Sequence, residues 1–297
     1  MFRLFQKTLL YQLLFLLRPW HWVKNIAVYV PIVFAGLLFT SAAFWQTTIA
    51  FLSLCFLSSS HYIINDIVDA PKDKLDSNRK HRPIASSAIS VELAWFVWCV
   101  CVGIGFFIAS QLGSSFFIVA LTYSFVHYLL LFIFRHMPIL DIMALATGYI
   151  LRIFAGEVAS DIHISIWLAL SAFSLALLFA VSKRRHEWNM KQATVVKERY
   201  SERLLDTYIA VFATSSFLSY TYFTFLSTFS LEGVTGAGRK WLMITTPFVL
   251  YGILRFLQQL YEEKQKTFQR LLVTDAPLLI TAFGWGISVL VIIYGLR

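Results

Sequence analysis

Residues 44–76 read FWQTTIAFLSLCFLSSSHYIINDIVDAPKDKLD. The apolar run Phe44–Ile64 passes without a break into Asn65, Asp66, Asp69, Asp73 and Asp76. A spanning helix needs about 20 mainly apolar residues, so this stretch predicts a transmembrane helix that ends in carboxylates. On such a helix Asp66, Asp69 and Asp73 stand at i, i+3 and i+7, which is one face. Carboxylates so placed repel one another, by about a few tenths of a kcal/mol per pair on an exposed helix and by more beside lipid. A cation removes that cost. Mg²⁺ suits the arrangement because it prefers oxygen ligands, keeps several waters and takes one or two carboxylates together with substrate phosphates. Pro71 is expected to break the helix, so that Asp73 reaches the site from a new turn. The alternative reading is a solvated acidic helix end.

The rest of the chain has the same apolar character. Of its 297 residues 58% are hydrophobic and 14% charged, with a mean hydropathy of +0.69, which excludes a water-soluble domain of ordinary composition. About nine stretches approach spanning length: Ile26–Phe39, Phe44–Ile64, Val91–Ser110, Ser114–Phe134, Ile139–Gly156, Ile164–Ser182, Leu204–Ser230, Trp241–Leu260 and Pro277–Leu296. They predict an all-α fold, one polytopic transmembrane bundle over residues 1–297. Met1–Leu17 is apolar but has no small-residue cleavage site after it, and residues 1–22 are expected to lie on the membrane as an amphipathic entry segment. No internal repeat and no low-complexity tract is visible.

Lysine and arginine are unevenly placed, and positive charge marks cytoplasmic segments. With the N-terminus inside, the inner segments hold Arg3, Lys7, Arg18 and Lys24, then Lys72, Lys74, Arg79, Lys80 and Arg82, then Arg135. Lys183, Arg184, Arg185, Lys191, Lys197, Arg199 and Arg203 follow, then Lys264, Lys266 and Arg270, which makes twenty of the 25 basic residues. Arg239, Lys240 and Arg297 fall outside, and Arg152 and Arg255 within spans. The expected topology has an odd number of spans, an external C-terminus, and the polar loops of about 65–90 and 183–203 on the cytosolic face of the cell (inner) membrane. This topology and anionic lipid headgroups account for most of the net charge of +9; attraction of a polyanionic substrate is compatible with it. With no nucleic-acid module visible, the expected partners are membrane lipids, small substrates and, at most, further copies of the chain. Cys55, Cys99 and Cys101 lie in apolar runs, where cysteine acts as a small hydrophobe, so neither a disulfide nor a metal thiolate is expected.

Four further groups carry candidate chemistry. Arg79-Lys80-His81-Arg82-Pro83 follows the carboxylates; Arg79 and Arg82 can share a face, and arginine forks onto phosphate oxygens. Beside a metal cluster this is a diphosphate cradle, and alone an ordinary positively charged loop. Asp141 and Arg152 are eleven residues apart, close to three helical turns, with Gly148 leaving a gap between them. Ionisable groups within spans face a bundle interior or a cavity. They make either a structural relay or a functional pair, Asp141 as second-metal ligand or base and Arg152 as contact for an anionic substrate. Lys183-Arg184-Arg185-His186-Glu187 ends the sixth span, with Arg185 read as an anchor and Lys183 and Arg184 as phosphate contacts. Lys24, in Trp20-His21-Trp22-Val23-Lys24-Asn25, adds a base at membrane depth, and Arg255 is expected to snorkel.

Together these residues resemble the UbiA superfamily of intramembrane prenyltransferases, whose first motif is Asn-Asp-x-x-Asp-x-x-x-Asp followed by Arg-x-x-Arg-Pro. Here it reads Asn65-Asp66-x-x-Asp69-x-x-x-Asp73, then Arg79-x-x-Arg82-Pro83. Within the superfamily the chain is more similar to the decaprenyl-phosphate phosphoribosyltransferase branch, which joins a polyprenyl phosphate to phosphoribosyl diphosphate. Four stretches carry that likeness: Leu17-Arg18-Pro19 with Trp22-x-Lys24-Asn25; Asp141 with Gly148-Tyr149, Arg152 and Ala155-Gly156; Lys183-Arg184-x-x-Glu187; and Tyr251-Gly-Ile-Leu-Arg255 leading to Asp275-x-Pro277-Leu278. The second Asp-x-x-x-Asp motif usual in aromatic-acceptor branches is absent, since Leu145 stands four residues after Asp141. Where the phosphoribosyl branch tends to have lysine before the fifth span, this chain has Arg135.

The resemblance implies a Mg²⁺-dependent transferase that moves a 5-phosphoribosyl group onto a polyprenyl phosphate. Asp66, Asp69 and Asp73 would bind Mg²⁺ and the donor diphosphate, supported by Asn65. Arg79, Arg82, Lys183 and Arg184 would grip phosphates, Lys24 and Arg135 the lipid phosphate, Arg152 an anionic substrate group, and Asp141 the ribose or a second metal. Two alternatives stay open: transfer of a prenyl group from an allylic diphosphate to an aromatic acceptor on the same fold, and a transporter without chemistry. A transporter calls for inverted repeats and charges near the midplane, whereas these charges crowd at one interface.

Overall fold

The computed structural model describes residues 8–76, 79–189, 194–226, 238–262 and 274–295. Among them every regular element is a helix and there is no strand, as lipid requires, because each backbone polar group must be paired within its own segment. Eight helices are long and apolar enough to cross a membrane, and they coincide with eight of the nine expected stretches. The bases Arg3, Lys7, Lys191, Lys264, Lys266, Arg270 and Arg297, and the span ends expected at Ser230 and Leu296, lie outside the described residues. The chain forms two compact units, Met1–Phe134 with Leu151–Ile162, and Arg135–Ile150 with His163–Arg297.

The first unit contains α1 (Leu9–Leu17), a 3₁₀ segment (Pro19–Tyr29), α2 (Val30–Ala35), α3 (Ser41–Asp73), α4 (Val91–Gln111), α5 (Ser114–Phe132) and the second half of α6 (Leu140–Ser160). With 33 residues, α3 rises about 50 Å, against a hydrocarbon thickness of about 30 Å. The helix is thus longer than one crossing needs, and its last turns carry the carboxylates. In α3 67% of the apolar window is buried, against 22% in α4, so α3 is the axis of the unit and α4 an outer helix. Gly105 lets α4 approach closely, since a Cβ there would fall 2.8 Å from the Leu57 side chain. Ser53 Oγ donates to the Gly105 carbonyl at 2.8 Å. Leu54, Leu57, Phe116, Ala120, Tyr123 and Ala155 fill one core, and Leu16, Ile63, Ile84, Ile89 and Cys101 a second under the loop after α3.

Two expectations are corrected here. The stretch 26–39 is no single spanning helix but part of the 3₁₀ segment followed by the six residues of α2. Pro31 stands in the first turn of α2, where it starts a new segment, and Gly36 ends that helix in the left-handed region at φ 77°; just before the stretch Asn25, fully buried, turns inward to bond Ser58 and Cys55. Pro71, in turn, does not end α3, which continues to Asp73. One ladder bond is lost in the last turn, and ion pairs on Asp73 hold that turn in register.

The second unit contains the first half of α6, α7 (Ile166–Trp188), α8 (Thr194–Arg199), α9 (Glu202–Leu226), α10 (Thr246–Glu262) and α11 (Ala276–Leu290). Leu178, Val181, Leu205, Ile209, Phe256 and Leu260 form its core. Arg185 is buried and anchors the end of α7: Nε donates to Asp206 at 2.7 Å, Nη1 to Asn189 at 2.8 Å, and Nη2 pairs with Glu202. Arg255 has a partner that its position in the span does not suggest. It forks onto Asp275 at 2.9 and 2.7 Å, and Asp275 caps α11 by accepting from the Leu278 N–H.

Candidate active site

The carboxylates of α3 lie on one buried face, with relative exposures of 2% for Asp66, 4% for Asp69 and 1% for Asp73. Charges so enclosed persist only when paired. Arg18 Nη2 reaches both oxygens of Asp66, at 2.7 and 2.9 Å. Arg82 Nη1 stands between two carboxylates, 3.0 Å from Asp66 Oδ1 and 2.6 Å from Asp73 Oδ2. Arg79 is half exposed and more distant, 3.8 Å from Asp73 and 3.6 Å from Asp76, which makes it the loosest of the three guanidiniums.

Local structure explains why these arginines arrive there. Arg18 ends α1 in the left-handed region, φ 52°, with its N–H on the Leu14 carbonyl; Pro19 forbids a further turn. That reversal sends the side chain over the Tyr62 ring, 5.3 Å from its centroid, and on to Asp66. Arg82 is fixed by the loop after α3, where Ile84 and Ile89 are buried and the Pro83 carbonyl accepts from Ala88 and Ile89. Sequence reasoning left Arg18 out of the site; the Arg-Pro pair at a helix end is the signal that points to it. Asn65 is half buried one residue before Asp66. His21 packs tilted against Tyr62, ring centroids 4.9 Å apart, and burial, then Lys24 and Arg18, lower its pKa to about 4. Lys24 itself is half buried on the 3₁₀ segment.

Arg152 is also in this unit, 5% exposed. Its Nε donates to Asn25 Oδ1 at 2.7 Å and its Nη2 to the Tyr123 hydroxyl at 2.7 Å, and its guanidinium lies 5.0 Å from the Tyr123 ring centroid. Tyr123 OH and Ser58 Oγ are 2.9 Å apart. Gly156, one turn further along α6, makes this packing possible, because a Cβ there would collide with the Val28 carbonyl.

In the second unit Asp141 is 2% exposed and saturated with donors. Oδ1 accepts from the Tyr200 hydroxyl at 2.7 Å and the Ile142 N–H at 2.8 Å, and Oδ2 accepts from Arg184 Nε at 2.8 Å. Tyr200 accepts in turn from the N–H of Ile139, a β-branched residue at φ 68°, a conformation that costs about 1–2 kcal/mol and is held by this bond. Burial, and the hydrogen bond to Asp141, raise the Tyr200 pKa. A carboxylate so fully engaged orients Arg184, whose Nη1 also binds Glu187 at 2.6 Å. Tyr200 is absent from the sequence-derived site. Lys183 is half exposed with Glu187 at 4.0 Å, and the half-buried Arg135 offers its carbonyl to Arg199 Nη1 at 2.8 Å.

Among the described residues no three side chains of metal-binding type close on one point. The donor set of the first unit nevertheless fits Mg²⁺: it is all oxygen, buried, and already gathers a positive group, Arg82 Nη1, between Asp66 and Asp73. Mg²⁺ needs only one or two carboxylates where phosphates and waters complete its shell.

These features define an integral membrane protein with a carboxylate and arginine site at the end of α3. The chain belongs to the UbiA prenyltransferase family, whose profile matches residues 28–287, and it is a transferase. It is 30% identical to a decaprenyl-phosphate phosphoribosyltransferase of Corynebacterium glutamicum over 288 residues, covering 94% of this chain and 85% of that one. The namesake protein of Mycolicibacterium smegmatis is 30% identical over 220 residues, covering 73% and 67%. In fold it is similar to a UbiA homolog from Archaeoglobus fulgidus solved with DMAPP and Mg²⁺, with a TM-score of 0.70 at 19% identity over 94% of this chain and 96% of that one.

Proposed function

We propose that this chain transfers a 5-phosphoribosyl group from phosphoribosyl diphosphate to a polyprenyl phosphate, with Mg²⁺, at the cytosolic side of the cell membrane and with its N-terminus inside. The observation that carries the choice of donor is the 30% identity, over nearly the whole chain, to a protein named for that reaction. The missing second Asp-x-x-x-Asp, with Leu145 where an aspartate would stand, supports the same choice. The cytosolic assignment rests on the excess of lysine and arginine in the loops that flank the site.

Asp66, Asp69 and Asp73 would hold Mg²⁺, and bound there it withdraws charge from a diphosphate leaving group. The arginines do the rest of that work. Arg82 is shared by Asp66 and Asp73 at rest, and with a diphosphate present its forked donors turn to phosphate oxygens, joined by Arg79 from the surface. Arg18 stays on Asp66 and keeps that carboxylate aimed. In the second unit Asp141 and Tyr200 fix Arg184, which with Lys183 is a further phosphate contact. Lys24 and Arg135 are assigned to the lipid phosphate and Arg152 to an anionic substrate group. The acceptor is already an anion at neutral pH, so no strong general base is needed. A site closed to water would shield an oxocarbenium-like ribose carbon from hydrolysis, as in glycosyl transfer.

Purified protein incubated separately with phosphoribosyl diphosphate plus polyprenyl phosphate, and with prenyl diphosphate plus an aromatic acid, tests the proposal. Product from the first pair alone is expected. Product from the second alone would move the chain to the aromatic-acceptor reaction.

A further inference from the structure

The stripe of α3 that bears the carboxylates does not end at Asn65. At 100° per residue, Ser58, His61, Tyr62, Asn65, Asp66, Asp69 and Asp73 fall within less than half the circumference of the helix. His61 sits one turn below Asn65 and about 40° around the helix from it. It is 8% exposed, and neither Nδ1 nor Nε2 has a hydrogen-bond partner. Its ring is clamped instead by faces and edges. His127 stacks on it at 4.6 Å with 9° between planes, Tyr128 meets it edge-on at 5.1 Å, and Tyr123 lies 5.4 Å away. His127 Nδ1 is bonded to the Tyr123 carbonyl at 2.9 Å, so the two rings differ: one is satisfied within the protein and the other is not.

A buried polar atom without a partner costs roughly 1–3 kcal/mol, and a phenylalanine would fill this aromatic clamp without that cost. The chemistry of the ring narrows what would complete it. A neutral imidazole has one N–H to give and one lone pair to receive. A phosphate can only accept, and an isoprenoid chain can do neither. A hydroxyl does both. A sugar ring carried on a diphosphate held at the next turn, where Asn65 stands, is of the size that would reach His61.

We propose that His61 receives a hydroxyl of the donor's pentose and thereby selects a pentosyl diphosphate over an allylic one. The inference rests on the phosphoribosyl reading above. It gives His61 a positioning and specificity role: an allylic chain in the same place leaves both nitrogens buried and unmet, and sites built to bond a hydroxyl reject analogues that lack it.

His61→Phe keeps the stacked ring and removes both nitrogens. Binding of phosphoribosyl diphosphate, inorganic diphosphate and dimethylallyl diphosphate is measured on the purified protein with Mg²⁺ by calorimetry, beside its melting midpoint. The variant is expected to lose about ten- to hundredfold in affinity for phosphoribosyl diphosphate, to hold inorganic diphosphate as before, and to gain for the allylic compound. Equal loss for all three, which marks a purely structural residue, overturns the proposal. So does unchanged affinity for phosphoribosyl diphosphate, which marks a buried water as the partner. Should the variant not fold, His61→Leu gives the same comparison. Failure of the phosphoribosyl reading shows separately, as a wild-type protein that binds phosphoribosyl diphosphate no better than inorganic diphosphate.

Discussion

Arg82→Met is the substitution that probes the carboxylate site most directly, because one nitrogen of Arg82 serves two buried acids. Removing one partner of a buried ion pair costs about 3–5 kcal/mol when nothing else compensates the charge left behind. Here compensation is partial. Asp66 keeps Arg18 at 2.7 Å, while Asp73 keeps only the half-exposed Arg79 at 3.8 Å. The expected destabilisation without divalent ions is therefore about 2–4 kcal/mol, most of it from Asp73. A cation that takes the vacated position should restore stability by linkage, about 2.7 kcal/mol at a concentration of 100 times its dissociation constant. Thermal melting in detergent, with and without Mg²⁺, reads both effects. The variant's midpoint should fall without metal and recover with it, while the wild type, whose Arg82 already fills the position, should shift little. If Mg²⁺ moves both proteins by the same amount, or neither, Asp66 and Asp73 do not share a cation and the site as described is wrong.

Asp66→Asn should abolish Mg²⁺-dependent turnover, by at least about a hundredfold, in a protein that still melts cooperatively; full turnover would refute its role. Gly156→Ala pushes α6 off the Val28 carbonyl and should destabilise by about 1–3 kcal/mol, seen as a lower melting midpoint and weaker substrate binding through Arg152. Tyr200→Phe strips one donor from Asp141 and the acceptor from the Ile139 N–H, with an expected cost of about 1–3 kcal/mol. Since the folded pKa of Tyr200 is raised, wild-type stability should drop as pH rises past the ordinary phenol value of about 10, and the variant should lack that drop. His21 is held neutral with its pKa lowered to about 4, so the unfolded chain binds its proton first on acidification. Stability from this group is full above about 6.5 and declines toward pH 4, and His21→Gln should flatten melting midpoints across that interval.

The fold is legible in the sequence because lipid leaves a backbone few choices. Eight of the nine apolar stretches are helices of crossing length, and hydropathy alone finds them. It misleads at 26–39, where composition is apolar enough but Pro31 opens and a left-handed Gly36 closes a helix of only six residues. It is also silent on strength of register: Pro71 looks like a break, yet the turn that follows is tied down by Arg82 on Asp73. Nor does hydropathy show that Asp275, twenty positions on, comes back beside Arg255.

At the site the acids and their counter-ions differ in kind. The spacing of Asp66, Asp69 and Asp73 fixes their common face from helix geometry alone, since all three ride on α3. The residues that neutralise them come from elsewhere, Arg18 from 48 positions away and Arg82 from a loop, and periodicity has nothing to say about such pairs. The same holds for Tyr200 on Asp141, 59 positions apart. Helical spacing likewise does not name the neighbours of Asp141 and Arg152, which are Arg184 and Tyr200 for the one and Asn25 and Tyr123 for the other. The distinction matters for chemistry. Three carboxylates on a helix face are only a tendency to attract cations. Arg82 adds what spacing does not show: it comes from the loop after α3 and places one nitrogen between Asp66 and Asp73, the position that the proposed reading would give to a metal-bound diphosphate.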